Sequence, residues 1–103
     1  MIKMIDATVN YNKDIADIFE SFPQLKVQVY AFGSRIKGTA RKNSDLDLVI
    51  KSEEPLKLEE FYDIKDAFSE SDIPYRVDLS DWSLLSANFK KAVENELELV
   101  YKN

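Results

Sequence analysis

Residues 31–50 read AFGSRIKGTARKNSDLDLVI. A glycine–serine pair follows an apolar segment, and a loop then carries Arg35, Lys37, Arg41 and Lys42. Asp45 and Asp47 open the next apolar segment. Gly33 and Gly38 are the only glycines in the chain, and both fall in this stretch. Glycines that scarce mark places where the backbone needs positive φ or close approach to another group. A strand that ends in glycine and opens a helical turn points free amides outward, a cradle for anionic oxygens. Cations gather such oxygens and paired carboxylates hold a divalent metal, so the three parts together suit a triphosphate.

The flanking segments supply the scaffold. Residues 26–32 are β-branched and aromatic, with Val27, Val29 and Ala31 on one face and Gln28 and Tyr30 on the other, which predicts a strand. Residues 44–51 alternate again: Leu46, Leu48 and Ile50 share one face, Asp45, Asp47 and Val49 the other. A short helical turn is expected over residues 34–39 between them. Upstream, Ile15, Ile18, Phe19 and Phe22 form the stripe of an amphipathic helix over residues 11–22, which Pro23 stops. Downstream, Leu58, Phe61, Tyr62, Ile64 and Phe68 give helical spacing over residues 56–70. Residues 75–79 read as a short strand, and Asp81 or Ser83 can cap a last helix with the stripe Leu85, Phe89, Val93 and Leu97. Beyond Asn95 the alternation of Leu97, Leu99 and Tyr101 fits either helix or strand. The predicted order is helix, strand, strand, helix, strand, helix. That is an α/β (α+β) fold, a small mixed β-sheet flanked by helices, with residues 1–103 as a single domain. The first two strands suit a hairpin-like pairing, and the helix after them lets the third strand lie parallel to a neighbour.

Composition narrows the chemistry. Apolar residues make up 45% of the 103 and charged residues 32%, ordinary for a globular domain. No apolar run approaches a membrane span, no signal peptide is evident, and the lack of cysteine fits a cytoplasmic protein. With no cysteine and no histidine, thiolate and imidazole zinc sites are excluded, as are triads that use histidine as base. Carboxylate and hard-metal chemistry remains. A formal net charge of −5 provides no basic footprint for nucleic acid, so no direct nucleic-acid binding is expected.

Asp45 and Asp47, two apart on a strand, project from one face about 7 Å apart. At an effective dielectric near 20, two such charges repel by roughly 2 kcal/mol, less when the side chains splay. A bridging cation removes that cost, and Mg²⁺ takes one or two protein carboxylates together with water and substrate phosphates. Taken alone, the pair also fits a solvated strand face.

The run GSRIKGTARKNSDLDL resembles the GSxARGxARxxSDxDL pattern of minimal nucleotidyltransferase (MNT) domains, within the nucleotidyltransferase superfamily. Gly33, Ser34, Gly38, Ala40, Ser44, Asp45 and Asp47 match; Ile36 stands where alanine is usual and Lys37 where arginine is usual. Lys37 keeps the charge and loses the guanidinium fork. The resemblance implies a third metal-binding carboxylate on a later strand. Asp78 is the candidate, flanked by the core-facing Val77 and Leu79; Asp72 and Asp81 are rivals at turn or cap positions. It further implies that Asp45, Asp47 and Asp78 hold one or two Mg²⁺ ions and carry catalysis. Gly33 and Ser34 would grip the phosphates of ATP or another nucleoside triphosphate, with Lys37, Arg41 and Lys42 as further contacts. Arg41 and Lys42 fit a solvated loop equally well. Longer nucleotidyltransferases carry an added helical acceptor-binding domain, and no such segment is visible here. MNT proteins are often paired with a HEPN-domain protein as antitoxin and toxin, and neutralise it by transferring AMP or by binding. Three readings follow: an antitoxin that transfers AMP, a non-catalytic subunit that occludes its partner, and a small antibiotic nucleotidyltransferase.

Overall fold

Strand β1 (Val27–Phe32) pairs antiparallel with β2 (Leu46–Ser52) in a register that sets Val29 against Ile50, Ala31 against Leu48 and Phe32 against Asp47. This is the expected hairpin-like pair. The computed structural model describes residues 6–33, 45–73 and 76–103, with side chains from Lys13 onward. Ser34, Lys37, Arg41, Lys42 and the turn expected over residues 34–39 lie outside the described residues.

After β2 the chain runs through helix α2 (Leu58–Ser69) into β3 (Val77–Asp81), which lies parallel to β2 and pairs Asp47 with Asp78 and Leu48 with Leu79. A parallel neighbour requires such a crossover, because a tight turn cannot reverse the chain twice. Helix α2 begins where the Glu60 carboxylate accepts from the Lys57 backbone N–H at 2.9 Å, satisfying one donor at the helix start. Its observed span is slightly shorter than expected. The expected strand over residues 75–79 is displaced toward Asp81.

Helix α1 spans Asp6–Glu20, starting earlier than its apolar stripe suggested. Phe22 lies past its end and packs against the core from the turn. The strand phases hold. Val27, Val29, Ala31, Leu46, Leu48 and Ile50 are buried on one sheet face, beneath Ile15 and Phe19 of α1 and Ile64 and Phe68 of α2. Phe19 meets Phe68 edge-to-face at 5.8 Å and stacks on Tyr101 at 5.5 Å, a geometry that aromatic quadrupoles favour.

The last third of the chain departs from a single long helix. Asp81 ends β3 and caps a 3₁₀ turn (Trp82–Leu84), its carboxylate accepting from the Ser83 backbone N–H at 3.0 Å. Ser86 caps helix α3 (Ala87–Val93), accepting from the Phe89 N–H at 3.1 Å. Leu85 therefore lies outside that helix. A second 3₁₀ turn (Glu94–Glu96) leads into strand β4 (Glu98–Lys102), which settles the ambiguous C-terminal alternation as strand. β4 pairs antiparallel with β1, Tyr101 opposite Val29, with a bulge between the pairs at Val29 and Tyr30. Pairing with β1 satisfies backbone groups that a longer helix would leave open at the sheet edge. The sheet order is β3-β2-β1-β4, mixed as expected, with one more strand than the sequence alone indicated.

Leu48 is fully buried at the centre of the sheet. Leu48→Ala is expected to cost about 2–5 kcal/mol through lost burial and a residual cavity. Urea unfolding checks this as a lower midpoint at unchanged slope.

Candidate active site

The ladder register builds the site. Alternation along β2 sends Leu46 and Leu48 into the core and turns Asp47 to the opposite face. Parallel pairing with β3 sets Asp78 beside it, exposed on that same face. The Leu46 backbone N–H donates to the Arg76 carbonyl at 2.9 Å, fixing the two strand starts level with each other. Asp45 sits one residue ahead of β2, half-buried. Phe32 closes the other side of Asp47 across the β1–β2 ladder.

The electrostatics register this crowding. The Asp47 carboxyl is pushed up to about 6, first by burial, then by the negative charges of Asp78 and Asp45. Asp78 and Asp45 are thus the charges that Asp47 feels. Of the rivals, Asp72 is exposed beyond α2, and Asp81 is buried with its carboxylate engaged by the Ser83 backbone N–H and, at 2.8 Å, the Ser83 hydroxyl. Among the described residues Asp78 makes no ion pair with Arg76.

Gly33 completes the described part of the site. Its φ is +87°, in the left-handed region. The positive φ favours glycine here, and a Cβ would in addition meet the end of the Asp47 side chain, which would have to turn aside. The glycine that the sequence suggested for phosphate approach also makes room for Asp47.

Among the described residues no group of three acidic side chains is placed to hold a metal ion together. A hard divalent ion that completes its shell with water and phosphate takes only one or two protein carboxylates. The oxygen-only donor set and the shifted Asp47 fit such an ion. Sequence reasoning did not single out Phe32, whose place opposite Asp47 depends on strand register. Nor did it find the cluster in which Lys51 lies over the rings of Trp82 at 4.3 Å and Tyr30 at 4.9 Å, with Lys90 5.5 Å from Trp82. Both depend on non-local packing that one-dimensional periodicity does not carry.

Because Asp47 binds its proton more tightly folded (about 6) than at its ordinary 3.8, its favourable contribution to stability is complete below about pH 4. It is lost as the pH rises through 6. In metal-free buffer Asp47→Asn should therefore raise the melting temperature at pH 7.5 by roughly 4 °C or more, with no difference from the parent at pH 4. Gly33→Ala should destabilise by about 1–3 kcal/mol. Part of that loss should disappear in an Asp47→Ala background, where the collision is removed and only the φ cost persists; a double-mutant cycle by urea unfolding measures the difference.

Comparison with known proteins bears on the family and the fold. The family model described as polymerase beta, nucleotidyltransferase matches residues 13–103. A relative from Haemophilus influenzae, named probable protein adenylyltransferase MntA, is 57% identical over 65 residues. That match covers 63% of this chain and 57% of the relative, so the chain spans less than two thirds of its length. Among solved structures, a chain from a toxin–antitoxin complex with AMP-PNP superposes with a TM-score of 0.72 at 22% identity, covering 89% of this chain and 73% of that one. A chain from the complex of tri-AMPylated Shewanella oneidensis HEPN toxin with MNT antitoxin gives a TM-score of 0.67 at 18% identity, covering 93% and 73%. At such identities these likenesses establish the fold, and the family match establishes descent: the chain belongs to the polymerase beta-type nucleotidyltransferase family.

Proposed function

We propose that residues 1–103 act as one nucleotidyltransferase domain that moves AMP from ATP onto a HEPN-type partner protein, as the antitoxin of a toxin–antitoxin pair. The observation that carries this reading is Asp47, paired in register with Asp78 and crowded by the charges of Asp78 and Asp45. The names of the Haemophilus influenzae relative and of the Shewanella oneidensis complex support the choice of AMP and of a HEPN protein. A cytoplasmic setting follows from the need for ATP.

Asp45 and Asp47 are the residues to hold Mg²⁺, with Asp78 completing a second site. The bound ion supplies charge neutralisation to the phosphoryl group in transfer. Asp78 accepts the proton of the acceptor hydroxyl, a base role that a carboxylate fills in a chain without histidine. The acceptor oxygen then bonds to the α-phosphorus, the bridge to the β-phosphate breaks, and pyrophosphate leaves. Gly33 and Ser34 hold the departing phosphates, with Lys37, Arg41 and Lys42 gathering their charge. Without the ion Asp47 holds its proton up to about pH 6, and Mg²⁺ binds the ionised carboxylate, so Mg²⁺ affinity should fall as the pH drops through about 6.

Incubation with labelled ATP, Mg²⁺ and the product of the adjacent gene tests the reading. Label should appear on the partner, and Asp47→Asn and Asp78→Asn should each reduce it by about 100-fold or more. A tight complex without label would identify occlusion instead. Full transfer by both variants would refute the assignment of the carboxylates.

A further inference from the structure

Resting on that nucleotide reading, we propose that Phe89, backed by Phe32, is the ledge on which the planar base of the nucleotide stacks. Phe32 lies directly opposite Asp47 in the β1–β2 ladder, on the face that also carries Asp78. Side chains so paired have Cβ atoms about 5 Å apart, so the Phe32 ring borders the carboxylates. Phe89 meets that ring edge-to-face, with centroids 5.9 Å apart and planes at 79°. Its own side chain stays 40% exposed. An open aromatic surface therefore lies against the residue that borders Asp47, on the face that carries the carboxylates.

The other aromatic rings on this face are already engaged. The Tyr30 hydroxyl donates to Gln28 at 2.6 Å while its ring carries the Lys51 ammonium. Trp82 takes both Lys51 and Lys90. Residues 34–44 contain no aromatic side chain at all. Among the described residues, Phe32 and Phe89 are the rings on this face without a cation over them, and Phe89 is the exposed one. Ser86 holds it there by capping the helix at the Phe89 N–H. A flat apolar ring offers stacking without hydrogen-bond readout, so it separates a nucleotide from a bare polyphosphate better than it separates one base from another.

The test compares two ligands by calorimetry in Mg²⁺ on the full chain: a non-hydrolysable ATP analogue and inorganic tripolyphosphate, which has no base. Phe89→Ala should weaken the ATP analogue about 10-fold or more, leave tripolyphosphate unchanged, and be rescued by Phe89→Trp. Equal weakening of both ligands would make Phe89 a prop for the site and overturn the proposal, as would an unchanged affinity for the ATP analogue. If the parent chain binds neither ligand, the nucleotidyl-transfer reading itself fails. Loss of the analogue alone in Phe89→Ala separates the two questions.

Discussion

Asp47 is held where an ionised carboxylate is least comfortable. Burial and two neighbouring acids push its proton affinity up, and Gly33, without a side chain, leaves room beside it. The backbone of Asp47 is fixed by a strand whose next residues, Leu48, Val49 and Ile50, are completely buried. The packing of β2 therefore keeps this acid on the face opposite Leu46 and Leu48, and carboxylates perturbed in this way cluster at functional sites.

The cost is offset by the packing on the other face of the sheet. On one, α1 and α2 seal an apolar layer running from Ile15 and Phe19 through the strands to Ile64 and Phe68. Each fully buried side chain of that size contributes on the order of 1.5–3 kcal/mol, so a few of them offset the crowding at Asp47. A strand period of two then guarantees that the residues between them emerge on the other side. Core and site are set by one phase.

That phase explains what could be read from the sequence. Leu46, Leu48 and Ile50 point one way and Asp47 the other because alternation is local, and local patterns survive in a single dimension. The parallel neighbour of β2 was legible through the helix that must intervene; Asp78 was singled out because the family resemblance implies a third carboxylate, with Val77 and Leu79 giving only its face. The bulged pairing of β4 with β1 was not. Leu85, Phe89, Val93 and Leu97 satisfy helical spacing, and only the open edge of β1, far away in the chain, decides that the last of them leads into a strand. Phe32 escaped notice for a similar reason: its neighbour Asp47 is fixed by register, which no count along one strand reveals.

Helix α3 shows where variation can enter such a design. Seven residues are too few to be stable as an isolated helix, so its position depends on its cap and on what it touches. Those contacts are few: Phe89 against Phe32, Lys90 over Trp82, and Ser86 at its start. Changing them would move the rim of the site without shifting a single ladder pair, whereas moving Asp47 or Asp78 would break the sheet. On the reading proposed above, the carboxylates are tied to strand register, which the core enforces, while base stacking falls to a short element beside them. The two depend on different contacts, so a change at Phe89 leaves the ladder pairing of Asp47 with Asp78 in place.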